Sequence, residues 1–249
     1  MNIINSKYLF IVPFFLLCGC YGQSTQPNFY KGSNQSVDHL AWDILLKKYV
    51  DDKGNVNYKE WKTEKGELIE YLDYLAKNPI SNTAKKEEQL AYYINLYNAG
   101  TVQLILENYP LKSIKNIFRP WGKNRLIIGN ETYSLGKIEH DILRRMNEPR
   151  IHFAINCASF SCPKLINEAY VASKMNEQLE EVTTQFINDS TKNNITENSI
   201  HLSKIFKWYK GDFDQQKGLI EYLNVYSNFE IKLNTEIDYL TYDWSLNEK

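Results

Sequence analysis

Several signatures of common binding and catalytic classes are absent from this sequence. Its 29 basic and 30 acidic residues leave a net charge of −1, and no basic stripe runs through the chain. Nucleic-acid binding and a general attraction to anionic membrane surfaces therefore lack an electrostatic basis. Glycine is scarce, with 11 residues, and neither GxGxxG nor GxxxxGKS/T occurs, which argues against phosphate-binding loops. The GxSxG and HExxH motifs of serine hydrolases and zinc proteases are also missing.

The overall composition is that of a folded globular protein. Hydrophobic residues make up 43% of the 249 positions and charged residues 24%, so wholesale disorder is not expected. Aromatic residues make up 14%, and the 18 tyrosines predict a core rich in half-buried phenol side chains. This length is sufficient for one large domain with an ample hydrophobic core.

The first residues have the pattern of an export signal. Lys7 precedes an apolar run over residues 8–17, and Cys18-Gly19-Cys20 follows. A transmembrane helix needs about 20 apolar residues, so this run is too short to span a bilayer comfortably. Residues 1–19 are therefore predicted to be a signal peptide.

The end of this segment resembles a bacterial lipobox, Leu17-Cys18-Gly19-Cys20. That resemblance implies cleavage before Cys20 and a diacylglycerol on its sulfur, which anchors a protein without a spanning helix. An ordinary secretory signal that happens to contain cysteines is the alternative. Tyr21 stands where an Asp would indicate inner-membrane retention, so we expect an outer-membrane lipoprotein that faces the periplasm. Residues 20–36 are predicted to be a flexible tether, and residues 37–249 a single globular domain.

Helices are predicted for most of the first half. Apolar spacing predicts helices over residues 39–50, with Asp38 as N-cap, and over residues 60–77. The longest predicted helix, residues 85–109, is apolar nearly all round, which is typical of a buried central helix. Pro110 ends it.

Strands mixed with helices are predicted for the second half. Gly129-Asn130 predicts a two-residue hairpin turn, and alternation predicts a strand over residues 151–157. Further helices are expected over residues 136–146 and 173–188, and short strands over residues 200–202 and 237–244. This order predicts an α+β fold, in which a helical N-terminal half around the central helix packs on a small, mostly antiparallel sheet from the C-terminal half.

Cys157 and Cys162 are the only cysteines after Cys20, and they support two hypotheses. In an oxidising compartment, a disulfide is the default for two such residues. Alternatively, Cys157 at the end of a strand is a nucleophile. Pro163 suits the first turn of a helix, which would place Cys162 at an N-cap that lowers a thiol pKa.

A nucleophilic thiol needs a general base, and the sequence offers four histidines. His140 and His152 flank the cysteine segment, whereas His39 and His201 are expected to be core or surface residues. In a regular strand, His152 and Cys157 point to opposite faces, which makes His140 the better candidate base.

A zinc site would draw on the same cysteines and histidines, but the cysteine spacing is looser than the usual CxxC. We therefore expect no metal and no cofactor.

Three polar residues in or near the predicted helices are candidates for either a structural or a ligand-binding role. Asn95 and Asn98 lie three residues apart on one face of the central helix, where each either hydrogen-bonds loop backbone or lines a pocket. Glu139 is expected to pair with Arg144 or Lys137 at the surface, and a role beside His140 is the alternative. Together with Asn156, these residues are candidate ligand-binding groups.

Five stretches in combination resemble one protein family. They are residues 91–99 (AYYINLYNA), 106–111 (LENYPL), 134–140 (SLGKIEH), 150–163 (RIHFAINCASFSCP) and 242–247 (YDWSLN). The chain resembles the family called domain of unknown function 547 over residues 39–247. That resemblance implies export or lipid anchoring, which bacterial members often show, and it implies no particular reaction.

Two classes of function are therefore expected. The first is a lipid-anchored envelope module that binds a peptide, a glycan or an envelope protein near residues 156–162, where a Cys157–Cys162 bridge closes a loop. The alternative is a periplasmic thiol-dependent hydrolase or acyltransferase with Cys157 as nucleophile and His140 or His152 as base. Apart from its ligand, the expected partner is the membrane, through the lipid on Cys20.

Overall fold

The computed structural model describes residues 37–196, 199–214 and 218–249. The predicted signal peptide and tether, residues 1–36, lie outside these ranges. The fold is α+β, as predicted, because helices dominate the first half and two small sheets lie in the second half of the described chain. Within the described residues, no helix is both long and apolar enough to cross a membrane.

Helices that pack through aromatic rings form the first half: α1 (Leu40–Tyr49), α2 (Tyr58–Thr63), α3 (Gly66–Lys77) and α4 (Lys86–Asn108). The indole of Trp61 on α2 stacks on Trp42 and Tyr49 of α1, with ring centres 5.8 Å and 4.7 Å apart. Offset stacking of this kind adds about 0.5–1.5 kcal/mol per pair beyond the burial of area. The single helix predicted over residues 60–77 is wrong, because the chain breaks after Thr63 and α3 restarts at Gly66.

Helix α4 is the buried central helix that the sequence predicts. Fifteen of its 23 residues are buried, and they occur on all faces. At its start, the Glu88 side chain accepts a hydrogen bond from the Lys85 N–H at 3.0 Å, which satisfies one of the unpaired donors of the first turn. At its end, Pro110 lacks the N–H that a further turn would require. Because α4 is enclosed, its polar side chains must find partners inside the protein.

Two sheets lie in the second half. Strands β1 (Leu126–Ile128) and β2 (Glu131–Tyr133) form the hairpin predicted at Gly129-Asn130, and Gly129 takes the left-handed conformation that such a turn requires. The second sheet has the order β3 (Asn194–Ile195), β4 (Ile200–Leu202) and β5 (Ile237–Tyr239). β4 pairs antiparallel with β3 and parallel with β5. The last strand ends at Tyr239, five residues earlier than predicted.

Short helical segments position the candidate site. Residues 135–146 form α5 (Leu135–Lys137), a π-helical turn (Ile138–Ile142) and a 3-10 turn (Leu143–Met146). The predicted helix over residues 136–146 is thus present as three different helical types. The remaining helical segments are α6 (Ile151–Ala154), a 3-10 turn (Ala172–Lys174), α7 (Met175–Asn188), α8 (Lys204–Trp208), α9 (Lys210–Phe213) and α10 (Leu219–Tyr226). The predicted helix over residues 173–188 is confirmed by α7 with this preceding turn.

The strand predicted over residues 151–157 is wrong, since α6 occupies its first part. The Ile155 N–H donates to the Ile151 carbonyl at 3.0 Å, as in a helical turn. All four α6 residues are buried, so the alternating apolar pattern does not reflect one buried and one solvated face. A short apolar run that is buried all round has the same periodicity in a helix or a strand, which is why the pattern misled.

Candidate functional site

One cavity collects most of the residues singled out by the sequence. Its volume is about 320 Å³, and we call it the Cys157 cavity. Its lining comes from helices α4, α6 and α8, from the π-helical turn and from loop segments outside the helices. The lining residues are Tyr97, Trp121, Glu139, His140, His152, Ile155, Cys157, Cys162, Pro163, Ile205, Trp208, Tyr209, Tyr242 and Trp244.

The chain reverses tightly after α6 and presents Cys157 to this cavity. Asn156 fixes the reversal, since its Oδ1 accepts from the Ala158 N–H at 2.7 Å and its Nδ2 donates to the Pro163 carbonyl at 2.7 Å. Ala158 has a φ of 56°, a left-handed conformation that costs a non-glycine residue free energy. The C-terminal segment, residues 240–249, also contacts this loop, because the Phe160 N–H donates to the Ser245 carbonyl at 2.7 Å. The position of Cys157 is therefore set by several independent contacts.

Polar groups surround the half-buried Cys157 thiol. Its Sγ lies 3.1 Å from Ser159 Oγ and 3.3 Å from Tyr242 Oη, and these two hydroxyls are 3.1 Å apart. The hydrogen bond with Cys162 lowers the pKa of the Cys157 thiol, and those from Ser159 and Tyr242 lower it further, which together outweigh the effect of burial. The Cys157 thiol therefore loses its proton more readily than an ordinary cysteine does.

Cys162 has the opposite character. It is buried, its Sγ accepts the Cys157 N–H at 2.9 Å, and burial raises its pKa well above that of a free thiol. Both cysteines are free thiols in the structure, and a disulfide between them stays a prediction for the oxidised protein. The predicted N-cap position of Cys162 is wrong, because no helix begins at Pro163.

His152 has the surroundings of a general base. Its Nε2 lies 2.7 Å from Asp212 Oδ2, and Asp212 in turn receives two hydrogen bonds from the Arg144 guanidinium, at 2.6 Å and 2.8 Å. Burial opposes ionisation of Asp212, but these hydrogen bonds outweigh it and hold its pKa well below the ordinary value. Burial also lowers the pKa of His152, and the contact with Asp212 offsets part of that effect.

The ionised Asp212 therefore determines the tautomer of His152. A carboxylate can only accept, so the neutral imidazole carries its proton on Nε2 and has the lone pair on Nδ1. Among the described residues, Nδ1 has no hydrogen-bond partner. Tyr209 stacks on the ring, with centres 4.0 Å apart, and fixes its plane. His152 is thus a positioned base with a free nitrogen in the wall of the Cys157 cavity.

His140 also lines the cavity but has a less constrained environment. Its side chain is exposed, and its Nδ1 lies 3.3 Å from the Arg144 guanidinium, which pairs with Asp212. The sequence-based preference for His140 over His152 rested on the strand geometry of residues 151–157. Since that strand is absent, the preference loses its basis, and the geometry favours His152.

Glu139 is buried and does not pair at the surface, contrary to prediction. Tyr209 donates its phenol O–H to Oε1, and Tyr97 donates to Oε2 at 3.2 Å. Arg144, one of its expected partners, pairs with Asp212 instead. Sequence separations of 42 and 70 residues between Glu139 and its tyrosines gave no local signal for these contacts.

A comparison with protein-family models finds one relationship. Residues 81–187 match the sequence model of a family described as a protein of unknown function, DUF547. The match supports the resemblance to DUF547. Comparison of the chain with curated proteins and with solved structures gave no match. The matched DUF547 span includes both cysteines, Glu139, His140 and His152, whereas Asp212 and the aromatic residues of α8 and of the C-terminal segment lie beyond it.

The buried asparagines within the DUF547 match hydrogen-bond to the backbone. Asn95 exchanges two hydrogen bonds with the backbone of Tyr170, at 2.8 Å and 3.0 Å. Asn98 donates to the Ala154 carbonyl at 3.0 Å and accepts from the Asn156 N–H at 2.8 Å. These contacts match the packing alternative of the sequence analysis. Of the three candidate binding amides in the described chain, none lines the Cys157 cavity, and Asn156 lines a second cavity of about 560 Å³.

The metal-ligating residue types do not gather into a metal centre in the described ranges, where no group of three or more His, Cys, Asp or Glu side chains is arranged to hold an ion. The arrangement that the structure does bring together is a thiol, an imidazole with a carboxylate partner, and a buried glutamate. Sequence reasoning missed Asp212, which follows His152 by 60 residues in no recognisable motif.

Proposed function

We propose that this protein is a thiol-dependent enzyme that cleaves or transfers an acyl group, with Cys157 as nucleophile and His152 as base. The observation that carries the proposal is the meeting of both side chains in one cavity, where Asp212 orients the imidazole and Arg144 holds Asp212. A nucleophile, a base and a residue that orients the base are the parts that covalent acyl transfer requires.

The proposed reaction begins with the Cys157 proton. It passes to His152 Nδ1 as Sγ adds to the carbonyl carbon of an ester or amide. The bond from that carbon to the leaving oxygen or nitrogen then breaks, and His152 returns the proton to the leaving group. Water, or an acceptor amine, next attacks the thioester and restores the free thiol. Asp212 stays ionised throughout and stabilises the imidazolium that forms between the two transfers.

A generic activated ester tests this proposal without knowledge of the natural substrate. Mixing the protein with p-nitrophenyl acetate should release a burst of about one equivalent of p-nitrophenolate and leave an acetyl group on Cys157, visible by intact mass. Cys157→Ser should reduce the burst rate by at least about 1,000-fold, because a hydroxyl is a far weaker nucleophile at neutral pH.

The control for a histidine effect is His201→Asn. His201 lies on β4, does not line the cavity, and has its ion-pair contact with Asp238, at 3.8 Å, so its loss should leave the burst unchanged. His152→Asn should slow the burst about 100-fold or more. Acetylation that is unaffected by His152→Asn, or that occurs on lysines instead of Cys157, would contradict the proposal.

The cavity walls favour a second candidate function. Trp208 is 46% exposed and packs against Trp244 and Tyr242, with ring centres 5.8 Å and 4.8 Å away. Half-exposed tryptophans at the mouth of a cavity are typical of ligand-binding surfaces, which supports a module that binds a peptide or a glycan. Absence of any acyl-enzyme, with retained binding of such a ligand, would favour this function over the enzyme.

We also propose that the protein is a lipoprotein of the cell envelope, anchored through Cys20. The lipobox-like residues that end at Cys20 support this proposal. Cys20→Ala should move the protein from the membrane fraction to the soluble fraction and prevent incorporation of labelled palmitate. Unchanged fractionation, or labelling that does not depend on Cys20, would contradict the anchor.

A further inference from the structure

Glu139 is a buried carboxylate that forms no ion pair with any described residue. It is 6% exposed, it lines the Cys157 cavity, and its hydrogen-bond donors are the neutral phenols of Tyr97 and Tyr209. In the described part of the chain, no Lys, Arg or His nitrogen lies within ion-pair distance of it. Taking a carboxylate out of water costs several kcal/mol unless a positive charge compensates. Arg144 and, when protonated, His152 interact with Glu139 electrostatically from beyond ion-pair distance, so Glu139 has no direct cationic partner among the described side chains.

The walls around this carboxylate attract cations as well. Six of the 14 lining residues are tyrosine or tryptophan, and among the described residues no Lys or Arg belongs to the lining. The faces of these rings carry partial negative charge, which stabilises an ammonium group by about 0.5–2 kcal/mol. Two of the rings already hold a cation from the protein, since Lys115 Nζ lies 5.2 Å from the Trp244 ring centre and Arg144 lies 5.3 Å from that of Tyr209.

We propose that the Cys157 cavity selects acyl substrates that carry an ammonium group, with Glu139 as the counter-ion and the aromatic rings as the walls of its site. This inference rests on the proposed thiol chemistry, which places the acyl carbon at Cys157, and it names the class of substrate. An aminoacyl ester or amide, with an amine close to the carbonyl that is attacked, satisfies both requirements. Anionic acyl groups are excluded by repulsion from Glu139.

Two alkylating probes of the same shape, one cationic and one neutral, measure the effect of a positive charge on the reaction with Cys157. N-(2-trimethylammonioethyl)iodoacetamide and its neutral isostere N-(3,3-dimethylbutyl)iodoacetamide differ by a nitrogen in place of a carbon. Their rates at Cys157 are measured by peptide mass at pH 8 and normalised to their rates with 2-mercaptoethanol. The cationic probe should react about tenfold faster than the neutral one, through the ring faces and Glu139.

Substitutions assign this preference to the cavity. Glu139→Gln keeps the side-chain shape and should reduce the advantage of the cationic probe to about two- to threefold, because the counter-ion is lost and only the ring faces remain. Glu87→Gln removes the same charge from the exposed first turn of α4 and should preserve the tenfold advantage. Trp208→Ala truncates a half-exposed ring, which folding tolerates better than a core change, and should reduce the advantage about two- to threefold.

The outcomes separate this inference from the proposed function. Equal rates of the two probes in the natural protein, or an undiminished tenfold preference in Glu139→Gln, would overturn the ammonium site even if Cys157 forms an acyl-enzyme. A tenfold preference without any acyl-enzyme would leave the ammonium site supported and the enzyme contradicted.

A binding measurement does not depend on the thiol. Titration of tryptophan fluorescence in the Cys157→Ala variant should show saturable binding of tetramethylammonium and none of tert-butanol. Identical responses to the two would overturn the ammonium site.

Discussion

The buried amides of α4 and the buried carboxylate of the Cys157 cavity differ in how far their polar atoms are paired inside the protein. Asn98 is 1% exposed, and its amide hydrogen-bonds the backbone on both sides of Ile155. Glu139 is 6% exposed, accepts from two phenols and forms no ion pair in the described chain. Burial of a polar group is therefore not by itself the mark of a functional site. Bonding capacity that is left over and faces a cavity is the better criterion.

The two buried histidines extend this comparison. His39 immediately precedes α1. Its Nδ1 pairs with the Tyr71 hydroxyl at 2.7 Å, and burial lowers its pKa to about 4. His152 is buried to a similar extent, yet an ionised carboxylate holds one nitrogen, the other has no hydrogen-bond partner in the described chain, and the residue lines the Cys157 cavity. The first histidine contributes to packing, and the second is placed to exchange a proton.

The largest expected effect is the loss of stability when a buried amide of α4 is removed. Asn98→Ala leaves the Ala154 carbonyl and the Asn156 N–H unpaired in the interior, and each such group costs about 1–3 kcal/mol. We expect the free energy of unfolding, measured in urea, to fall by about 4 kcal/mol. A loss below about 1 kcal/mol would mean that Asn98 does not support the cysteine segment.

The next effect concerns His39 and pH. Its folded pKa of about 4 lies below the unfolded value of about 6.5, so the unfolded chain binds the extra proton between these two values. The contribution of His39 to stability is thus present above pH 6.5 and is lost as the pH falls toward 4, by about 3 kcal/mol in total.

The check on this prediction is the pH dependence of unfolding in His39→Gln. Burial also lowers the pKa of His152, so the His39→Gln variant keeps part of the pH dependence in the same window. The variant should lose less stability than the natural protein between pH 7 and pH 4.5. Identical slopes for the two proteins would show that His39 does not titrate as a buried group.

A smaller effect is expected on the catalytic side. Asp212→Asn removes the charge that sets the His152 tautomer, and we expect the acetylation burst to slow about 100-fold, or about 2.7 kcal/mol. The melting temperature should change little, because Asp212 and Arg144 are partly exposed to solvent. An unchanged burst would mean that Asp212 does not orient the base.

The smallest effect is expected for a surface ion pair, which serves as a control for the variants of buried residues. Lys47 and Asp43 form an exposed i,i+4 ion pair on α1, at 2.6 Å. Such pairs contribute about 0.3–0.5 kcal/mol, so Lys47→Ala should leave both unfolding and acetylation within experimental error of the natural protein. A larger loss would show that variants in general perturb this fold, which would weaken the assignments above.

Local patterns in the sequence predicted much of the helical half and part of the site. The apolar character of α4 and the Gly129-Asn130 turn are local properties, and both predictions are confirmed. The sequence also drew attention to Cys157 and His152, which the structure brings to one cavity. The pairing of His152 with Asp212, 60 residues later, depends on tertiary packing and left no periodic signal.

The segment after Pro149 shows why sequence patterns did not predict the remaining features of the fold and the site. Residues 151–154 are buried all round, so their alternation of residue types carried no information about two faces, and a helix formed where a strand was predicted. That error reversed the order of the candidate bases. Glu139 was misjudged for a related reason, because its partners come from α4 and from the start of α9 and not from its own helical turn.

The central claim is that Cys157 is an activated thiol whose neighbour Cys162 is inert. The most direct measurement is intact mass with peptide mapping after brief iodoacetamide treatment of the purified protein near pH 6, without reductant. The account predicts one label, on Cys157, gained much faster than by 2-mercaptoethanol, and none on Cys162, since the pKa of Cys157 is lowered and that of Cys162 is raised. No label on either residue, as a disulfide would give, or equal slow labelling of both, would contradict it.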